Sequence, residues 1–509
     1  MNSRLRAGVA DDLRTVVHNA GATFAGITVG TGLGYLTQIM IARSLGETAY
    51  GRFVLGFTVF TVVAMVAEVG LPQGLVRFVA VFRGAGDERR VKGTIALAVL
   101  AGVISSATLA AGLVLVSRPL ALYLFHDAGM GGVLTAFSAL LPWTTLTTMV
   151  VSSFQGLKAL KLKALVREIL EPLLRAVLVV ACLALGGKVL GVVVSYAAAS
   201  LLTLLVATLL LGRVFPPAFA PGVKAAYEPR LLFGFSWPLL FVYAMGNVFS
   251  VSDSLLVGVL RGPADVGAYS AAQRTALCCS FVLTSFISIL APLGADHYHQ
   301  GRSVELEDLF KTVSRWSLTL TLPIGLLLVA FAPTLLGLFG KDFARGSGAL
   351  TVLSVGWMLH SFGGSAGTIL TMSGRSKLHM VNFVGLIVCG VAASVILIPM
   401  WGLVGAATAT ALSLLLVDAV TLVEVAIFVG IHPFAAGLLK PLGAAVLAGV
   451  PLLVLARATA QPCPIAPAAG YALAFLAVYG GVLMSAGGSE SERTLLRELW
   501  SRMHGPNTL

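Results

Sequence analysis

The chain has 509 residues, of which 57% are hydrophobic and 11% charged, and its formal net charge is +12. Soluble proteins contain about 25% charged residues, so this composition excludes a soluble protein and indicates a polytopic membrane protein. The cation excess is typical of Lys and Arg enrichment in cytoplasmic loops and does not indicate nucleic-acid binding.

The five cysteines predict neither a disulfide framework nor a metal site. Four of them fall inside apolar runs, where a thiol behaves as a small hydrophobe: Cys182, Cys278, Cys279 and Cys389. Cys463 stands alone in a predicted loop. No C-x-x-C pair is present, and we expect no metal and no bound cofactor.

The N-terminal residues 1–18 carry charges of both signs, and Asp11 and Asp12 do not fit a cleavable signal peptide. We predict a cytoplasmic interfacial segment followed by a retained first helix. Gly26, Gly30 and Gly34 recur every fourth residue in that helix, a pattern that lets a neighbouring helix approach closely.

Apolar runs long enough to span a bilayer, about 20 residues each, predict about fourteen membrane helices. They cover residues 19–42, 53–75, 93–117, 133–155, 164–185, 189–212, 231–260, 267–292, 314–338, 347–372, 379–399, 403–430, 435–456 and 466–486. With the N-terminus inside, the inner segments carry 24 Lys and Arg residues and the outer links carry 8. This bias places both termini in the cytoplasm.

Two stretches of the chain repeat each other. Ile39 to Phe53 reads IMIARSLGETAYGRF and Val257 to Tyr269 reads VGVLRGPADVGAY. Three pairs keep an offset of 216 residues: Gly46 with Gly262, Gly51 with Gly267, and Phe53 with Tyr269. Six helices in each repeat is an even number, so the repeats are predicted to be parallel, an arrangement known in transporters.

The predicted fold is therefore all-α, with about fourteen transmembrane helices in two parallel six-helix repeats and two extra C-terminal helices. The predicted parts are an interfacial N-terminus (1–18), a first bundle (19–213), a cytoplasmic linker (214–230), a second bundle (231–430), two additional helices (431–487) and a cytoplasmic tail (488–509).

Charged residues inside these helices are the candidate functional residues. A charge at the bilayer centre costs at least about 2.5–3.5 kcal/mol, so each should face a cavity or a partner. Glu171 and Arg175 are four residues apart on one helix and can pair. Asp253 and Arg274 lie near one outer link on adjacent helices, and either a mutual ion pair or a contact with cargo is predicted. Glu68 lies deep in the second helix.

Two further carboxylates, Asp418 and Glu424, lie in the twelfth helix, six residues apart on different faces. They are candidates to carry a coupling ion, H⁺ or Na⁺. Helix packing alone is the alternative role for any of these charges. No HExxH, Walker or GxSxG motif occurs, so we do not expect bound ATP to supply energy.

Several motifs resemble the bacterial polysaccharide-transporter family, which includes O-antigen and exopolysaccharide repeat-unit flippases. They are ARSLGETAYGRF (42–53), AEVGLPQGLVRF (67–78), FGKDFARGSGALTVLSVGWM (339–358) and LTMSGRSK (370–377). This family belongs to the multidrug/oligosaccharidyl-lipid/polysaccharide exporter superfamily. The resemblance covers nearly the whole chain. Its motifs are specific for the family but carry little information about which molecule is transported.

The resemblance implies two lobes around a central cavity and an alternating-access transporter rather than an enzyme. It implies that an undecaprenyl-pyrophosphate-linked oligosaccharide moves from the inner to the outer leaflet of the bacterial inner membrane, for polysaccharide or lipopolysaccharide biosynthesis. The expected partners are this lipid-linked oligosaccharide, membrane lipids, and glycosyltransferases or polymerases of the same pathway. Among deep arginines only Arg175 and Arg274 are clear.

Three alternatives remain open. A lipid II flippase usually has a more arginine-rich first helix, whereas this one has no charge before Arg43. A multidrug or cation antiporter is disfavoured by the excess of Lys and Arg in and near the membrane. A polymerase or ligase of lipid-linked sugars would need a large outer loop, and the longest outer links here are short.

Overall fold

The computed structural model describes residues 29–220, 222–459 and 463–485. The described residues form helices and no strand. In the first half the helices are α1 (29–45), α2 (Glu47–Glu68), α3 (Leu71–Gly84), α4 (Glu88–Pro119), α5 (Met130–Ser138), α6 (Leu141–Gly156), α7 (Leu160–Ala164), α8 (Glu171–Ala184) and α9 (Val189–Val214).

The second half contains α10 (Pro229–Arg261), α11 (Pro263–Ala276), α12 (Ser280–His299), α13 (Ser303–Ala330), α14 (Ala332–Gly337), α15 (Ser347–Gly363), α16 (Ala366–Met372), α17 (Ser376–Trp401), α18 (Leu403–Phe428), α19 (Leu439–Ala458) and α20 (Ile465–Ser485). Within the part of the chain that the structure describes, each predicted segment coincides with one helix or with two consecutive helices, and residues 19–28 of the first segment lie outside that part. In the described parts, ten helical stretches are long and apolar enough to cross a membrane.

Several predicted helices are interrupted, which hydropathy did not show. The predicted second helix, 53–75, is two helices with a left-handed break at Val69 (φ 49°) and Gly70 (φ 68°). The predicted fifth helix contains a π-helical turn over Leu165–Leu170 between α7 and α8. The predicted tenth helix is divided into α15 and α16.

The two links that carry the sequence repeat have the same backbone shape and adjoin each other. Gly46 (φ 77°, ψ 172°) and Gly262 (φ 91°, ψ 176°) both adopt conformations that favour glycine. A Cβ added to Gly51 would lie 1.7 Å from the Pro263 carbonyl oxygen, and one added to Gly267 would lie 2.5 Å from the Glu47 carbonyl oxygen. The equivalent links therefore lie on the same side of the membrane, as parallel repeats require.

By contact density the chain divides into two units, which are described separately. Unit 1 holds the described residues up to Ser270 with Leu338–Phe343 and Ile398–Gly402, and unit 2 holds the remainder. The predicted boundaries of bundles and linker remain predictions. Unit 1 has a buried aromatic and aliphatic core that includes Phe78, Phe154 and Phe215.

In unit 2 the two additional helices pack against α13. Ala444, Ala448 and Leu452 of α19 and Tyr479 of α20 form one buried cluster with Phe331. The Tyr479 hydroxyl donates to the Thr319 carbonyl at 2.8 Å. Cys463, predicted to be an isolated loop thiol, is 3% exposed, and its backbone N–H donates to Thr334 Oγ1 at 2.9 Å.

The glycine stripe of the first helix is confirmed at one position. A Cβ on Gly30 would lie 2.2 Å from the Glu168 carbonyl oxygen, whereas Gly34 has no atom within 4 Å of such a position. Gly26 lies outside the described residues, as do the predicted N-terminal segment and the C-terminal tail. Gly30 thus lets α1 approach the π turn closely.

Candidate functional site

Unit 1 contains a polar cavity of about 360 Å³ where two of the helix interruptions meet. Its lining residues are Phe57, Phe60, Thr61, Ala64, Met65, Glu68, Gly70, Pro72, Gln73, Thr144, Thr148, Arg167, Arg175 and Leu240. Non-helical backbone inside a bilayer is tolerated where it lines a cavity or is buried in protein. The break after Glu68 and the π turn that carries Arg167 both meet this condition.

The break between α2 and α3 follows from the sequence Glu68-Val-Gly-Leu-Pro72. Proline has no N–H to donate and is favoured in the first turn of a helix, so Pro72 starts α3 afresh. Gly70 also approaches α10, because a Cβ there would lie 2.2 Å from the Ser236 carbonyl oxygen. Interrupted helices of this kind often mark binding sites in transporters.

The π turn places Arg167 on the cavity. The Glu171 N–H bonds to the Val166 carbonyl, five residues earlier, which inserts one residue into the helix. Pro172 follows and cannot donate to the Glu168 carbonyl in the α-helical pattern. Single π turns within α-helices occur frequently at functional sites.

Two arginines share one buried carboxylate at this site. Arg167 Nη1 lies 2.9 Å from Glu171 Oε2, and Arg175 Nη2 donates to Glu171 Oε1. The Glu171 side chain is 3% exposed, whereas the Arg167 side chain is 45% exposed. A guanidinium has five donors, and Arg167, which lines the cavity, gives one of them to Glu171.

Arg175 is fixed further by a chain of polar contacts between helices. Its Cζ lies 5.2 Å from the centre of the Tyr196 ring. Gln38 Nε2 donates to the Tyr196 hydroxyl at 3.2 Å, and the Tyr50 hydroxyl donates to Gln38 Oε1 at 3.1 Å. The Arg175 Nε has no hydrogen-bond partner although it is buried. These contacts hold Arg175 in place and leave its Nε–H without a hydrogen-bond acceptor.

Glu68 lies on the same cavity as the two arginines. Thr148 lines the cavity beside it, and the Arg167 charge acts on the Glu68 carboxyl. Glu68, Arg167 and Arg175 therefore line one cavity, and the charges of Glu171, Glu68 and Glu168 all act on Arg167. The opposite wall includes Phe57 and Phe60, whose ring centres are 5.8 Å apart.

Three predicted site residues are thus brought together: Glu68, Glu171 and Arg175. The predicted pair of Glu171 with Arg175 is confirmed. Arg167 was missed as a site residue because it was counted among the inner-loop cations. The i, i+4 spacing of Arg167 to Glu171 and the Gly-Leu-Pro break were the sequence signals that could have identified the cavity.

Asp253 of unit 1 is not among the residues that line this cavity, and Arg274 belongs to unit 2. Asp253 is 4% exposed and accepts a hydrogen bond from the Tyr269 hydroxyl at 3.1 Å. Arg274 lies near the end of α11 and is partly buried. Their predicted mutual ion pair remains a prediction.

In unit 2 both predicted carboxylates of α18 have partners on other helices. Asp418 Oδ2 lies 2.7 Å from His360 Nδ1 of α15. Glu424 accepts a hydrogen bond from Asn382 of α17, which also contacts Thr421 at 3.3 Å. His379 of α17 lies in the electrostatic field of Glu424. The sequence did not reveal these partners, because His360 is 58 residues from Asp418. Among the described residues no cluster could hold a metal ion.

Residues 16–296, more than half of the chain, match the family described as polysaccharide biosynthesis protein. The chain belongs to this family. Residues 238–396 also match the MatE family. The chain is 26% identical over 392 residues to the probable low-salt glycan biosynthesis flippase Agl15 of Haloferax volcanii, covering 75% of this chain and 78% of Agl15.

Two solved structures show the same fold. The lipid II flippase MurJ in an inward closed conformation has a TM-score of 0.68 at 14% identity, covering 96% of this chain and 99% of MurJ. An inward-facing multidrug resistance transporter of the MATE family has a TM-score of 0.66 at 16% identity, covering 79% and 94%. Family, relative and neighbours together identify a multi-pass membrane transporter of the flippase type, not an enzyme.

Proposed function

We propose that this transporter moves an undecaprenyl-pyrophosphate-linked oligosaccharide repeat unit from the cytoplasmic to the outer leaflet by alternating access. The proposed site of action is a bacterial inner membrane, with both termini in the cytoplasm and polysaccharide or lipopolysaccharide synthesis as the pathway. The observation that carries the proposal is the pair Arg167 and Arg175, which face one membrane-embedded cavity.

The arginine pair suits an acidic phosphate. A planar guanidinium matches phosphate oxygens with two parallel hydrogen bonds, and it stays charged inside a membrane. The exposed face of the Arg167 guanidinium supplies the donors, and Arg175 adds a second positive charge on the same cavity. Glu171 and Glu68 balance both cations while the cavity is empty, so no charge is isolated in the membrane.

The remaining walls suit a sugar. Thr61, Gln73 and Thr144 offer hydrogen-bonding groups, and Phe57 and Phe60 offer flat apolar faces against which the C–H face of a sugar ring can pack. This combination of a few polar groups with aromatic walls is typical of small-molecule sites. The glycan flippase among the relatives supports an oligosaccharide cargo over a cationic drug or lipid II.

The second unit supports coupling to an ion gradient, as proposed for Asp418 and Glu424. The Asp418 carboxylate is 12% exposed and is held by an imidazole. Paired His and acid groups within membrane helices are typical of proton relays, which favours H⁺ over Na⁺.

We expect Asp418→Asn to abolish the response of transport to an imposed pH gradient in proteoliposomes. A transporter driven equally well by a Na⁺ gradient at constant pH would contradict H⁺ coupling.

The cargo proposal is tested by replacing Arg167. Arg167→Gln should reduce export of the lipid-linked repeat unit at least tenfold in a strain lacking its own flippase, because the phosphate loses its exposed cation. Arg167→Lys should give intermediate export, since lysine keeps the charge but not the planar fork. Export is normalised to the protein present in the membrane.

Arg83→Gln is the matched control. Arg83 lies in the last turn of α3 and is 46% exposed, close to the exposure of Arg167. Its replacement should leave export unchanged. Full export by Arg167→Gln at normal protein level would remove the arginine from cargo binding.

A further inference from the structure

A buried cluster of aromatic rings closes unit 1 beside the link between α1 and α2. Tyr50 is 0% exposed, and its ring centre lies 5.7 Å from that of Phe343. Tyr35 of α1 packs edge-on against Phe339 at 5.7 Å, and Phe339 contacts Phe343 at 6.0 Å. Phe339 and Phe343 belong to Leu338–Phe343, a segment of the second predicted bundle that packs within unit 1. These four aromatic residues, called the aromatic closure below, therefore join the two predicted bundles.

The aromatic closure lies at the predicted outer end of the helices. Tyr50 is in the first turn of α2, directly after the link at Gly46, which is predicted to face outward. The next residue, Gly51, packs against the Pro263 carbonyl oxygen. Tyr50 thus belongs to the set of contacts that holds the two repeated links together. A transporter that works by alternating access has to break such contacts when its cavity opens to the outer side.

A chain of buried polar contacts connects Tyr50 to the arginine pair of the cavity. The Tyr50 hydroxyl donates to Gln38 at 3.1 Å, and Gln38 donates to the Tyr196 hydroxyl at 3.2 Å. The Arg175 guanidinium lies 5.2 Å from the centre of the Tyr196 ring. Gln38 is 8% exposed and Tyr196 5%. Because the chain is buried, a hydrogen bond that it loses is not replaced by one to water.

We propose that Gln38 and Tyr50 couple the occupation of the arginine pair to the aromatic closure, so that a bound phosphate promotes opening to the outer side. The inference rests on the proposed function for its ligand. Neither residue lines the cavity, so both act as positioning residues. Thermodynamic linkage requires that opening and phosphate binding favour each other by the same factor.

The step that starts this coupling occurs at Arg175. Its guanidinium donates to Glu171 and lies over the Tyr196 ring. A phosphate in the cavity attracts the same guanidinium, and hydrogen bonds between charged groups are stronger than a cation–π contact. Movement of Arg175 toward the phosphate removes its contact with Tyr196. The hydrogen bonds of Gln38 then lose the support that fixes them, and Tyr50 is held less firmly in the closure.

The reporter for opening is Ala42→Cys in a chain whose five native cysteines are replaced. Ala42 is 0% exposed and lies one turn beyond Gln38 on the same face of α1. Its thiol should therefore react with a bulky maleimide only when the aromatic closure opens. The full-length protein is labelled in nanodiscs with and without undecaprenyl pyrophosphate. This ligand should raise the labelling rate about fivefold, the lower end of typical coupling between two sites.

Tyr50→Phe removes one hydroxyl and keeps the aromatic ring. In the reporter chain it should raise the labelling rate without ligand about fivefold, the effect of one buried hydrogen bond, and abolish the response to undecaprenyl pyrophosphate. Tyr196→Phe interrupts the chain at its next bond and should act in the same way, also if Tyr50→Phe fails to fold. The two substitutions together should exceed neither alone, because members of one network are not additive.

Tyr479→Phe is the matched control. Tyr479 is 4% exposed, and its hydroxyl donates to the Thr319 carbonyl in unit 2. The substitution therefore removes an equivalent buried hydrogen bond outside the chain that leads to Tyr50. Both labelling rates should stay unchanged, which distinguishes coupling from a general loosening of the protein.

Three results would overturn the proposal. The first is a pair of labelling rates in Tyr50→Phe and Tyr196→Phe equal to those of Tyr479→Phe. The second is a full response to the ligand in Tyr50→Phe. The third is an unchanged labelling rate with undecaprenyl pyrophosphate although export depends on Arg167. Failure of the proposed function gives a different result, in which Arg167→Gln exports normally while Tyr50→Phe still raises the rate without ligand.

Discussion

At the scale of single residues, Glu171 neutralises part of the charge of two arginines inside the membrane. Its side chain is 3% exposed and contacts both Arg167 and Arg175. The spacing of Glu171 and Arg175 was enough to predict their pair, because contacts four residues apart follow from helix geometry. Contacts between distant helices were not predictable, since nothing in the sequence near Asp418 points to His360.

Glu171→Ala should therefore destabilise the protein strongly. Removal of one partner from a buried ion pair costs about 3–5 kcal/mol, because it leaves the other charges uncompensated. We expect a lower yield of monodisperse protein and a lower thermal midpoint, both measured by fluorescence-detected size exclusion.

Glu88→Ala is the control for this loss. Glu88 pairs with Arg83 at 3.6 Å, but its side chain is 48% exposed, and exposed pairs contribute about 0–1 kcal/mol. Its replacement should leave yield and midpoint nearly unchanged. Equal behaviour of the two variants would show that Glu171 does not balance the arginines.

At the scale of elements, the apolar runs predicted where helices lie but not where they are interrupted. By length and composition Glu47–Gly84 is a single candidate membrane span, so hydropathy does not separate α2 from α3. The local chemistry is more informative, because Gly70 accepts the left-handed conformation and Pro72 begins a new helix. The π turn had no such signal before Pro172.

Gly70→Ala should destabilise this break. An alanine at φ 68° costs about 1–2 kcal/mol from the backbone alone, and its Cβ would meet the Ser236 carbonyl oxygen of α10. Since the break shapes the cavity, export should fall together with the thermal midpoint.

Gly84→Ala is the control within the same pair of helices. Gly84 ends α3, and no atom lies within 4 Å of a Cβ added there. Alanine should be neutral or slightly stabilising at such a position. A Gly70→Ala protein as stable as Gly84→Ala would mean that the left-handed break is not required.

At the scale of the whole molecule, composition was sufficient for the membrane class, and residue pairs that keep an offset near 216 predicted the repeat. These two predictions draw on many residues along the chain, so they do not depend on how any one side chain packs. The exposure of individual loop residues depends on packing and was not predictable. Cys463 shows this, because it is buried against Thr334 although no helix contains it.

The cytoplasmic orientation of both termini is tested by thiol labelling of intact cells, with all five native cysteines replaced. Lys188→Cys, in a predicted outer link, should react with an impermeant maleimide. Glu88→Cys, in a predicted inner link, should react only after the membrane is opened. Both positions are exposed, so low reactivity reports the side of the membrane. Labelling of Glu88→Cys in intact cells would reverse the predicted topology.

The contact between the two repeated links has a consequence for symmetry. Gly51 packs against the start of α11, and Gly267 packs against the start of α2. Each copy of the motif therefore contacts the other through the same pair of surfaces. This is an isologous contact, the kind that joins two identical subunits across a twofold axis. Here a single polypeptide supplies both halves. A substitution opposite cannot make room for a larger residue at either glycine, because each faces a backbone carbonyl oxygen, that of Pro263 or that of Glu47. The two positions are therefore constrained together.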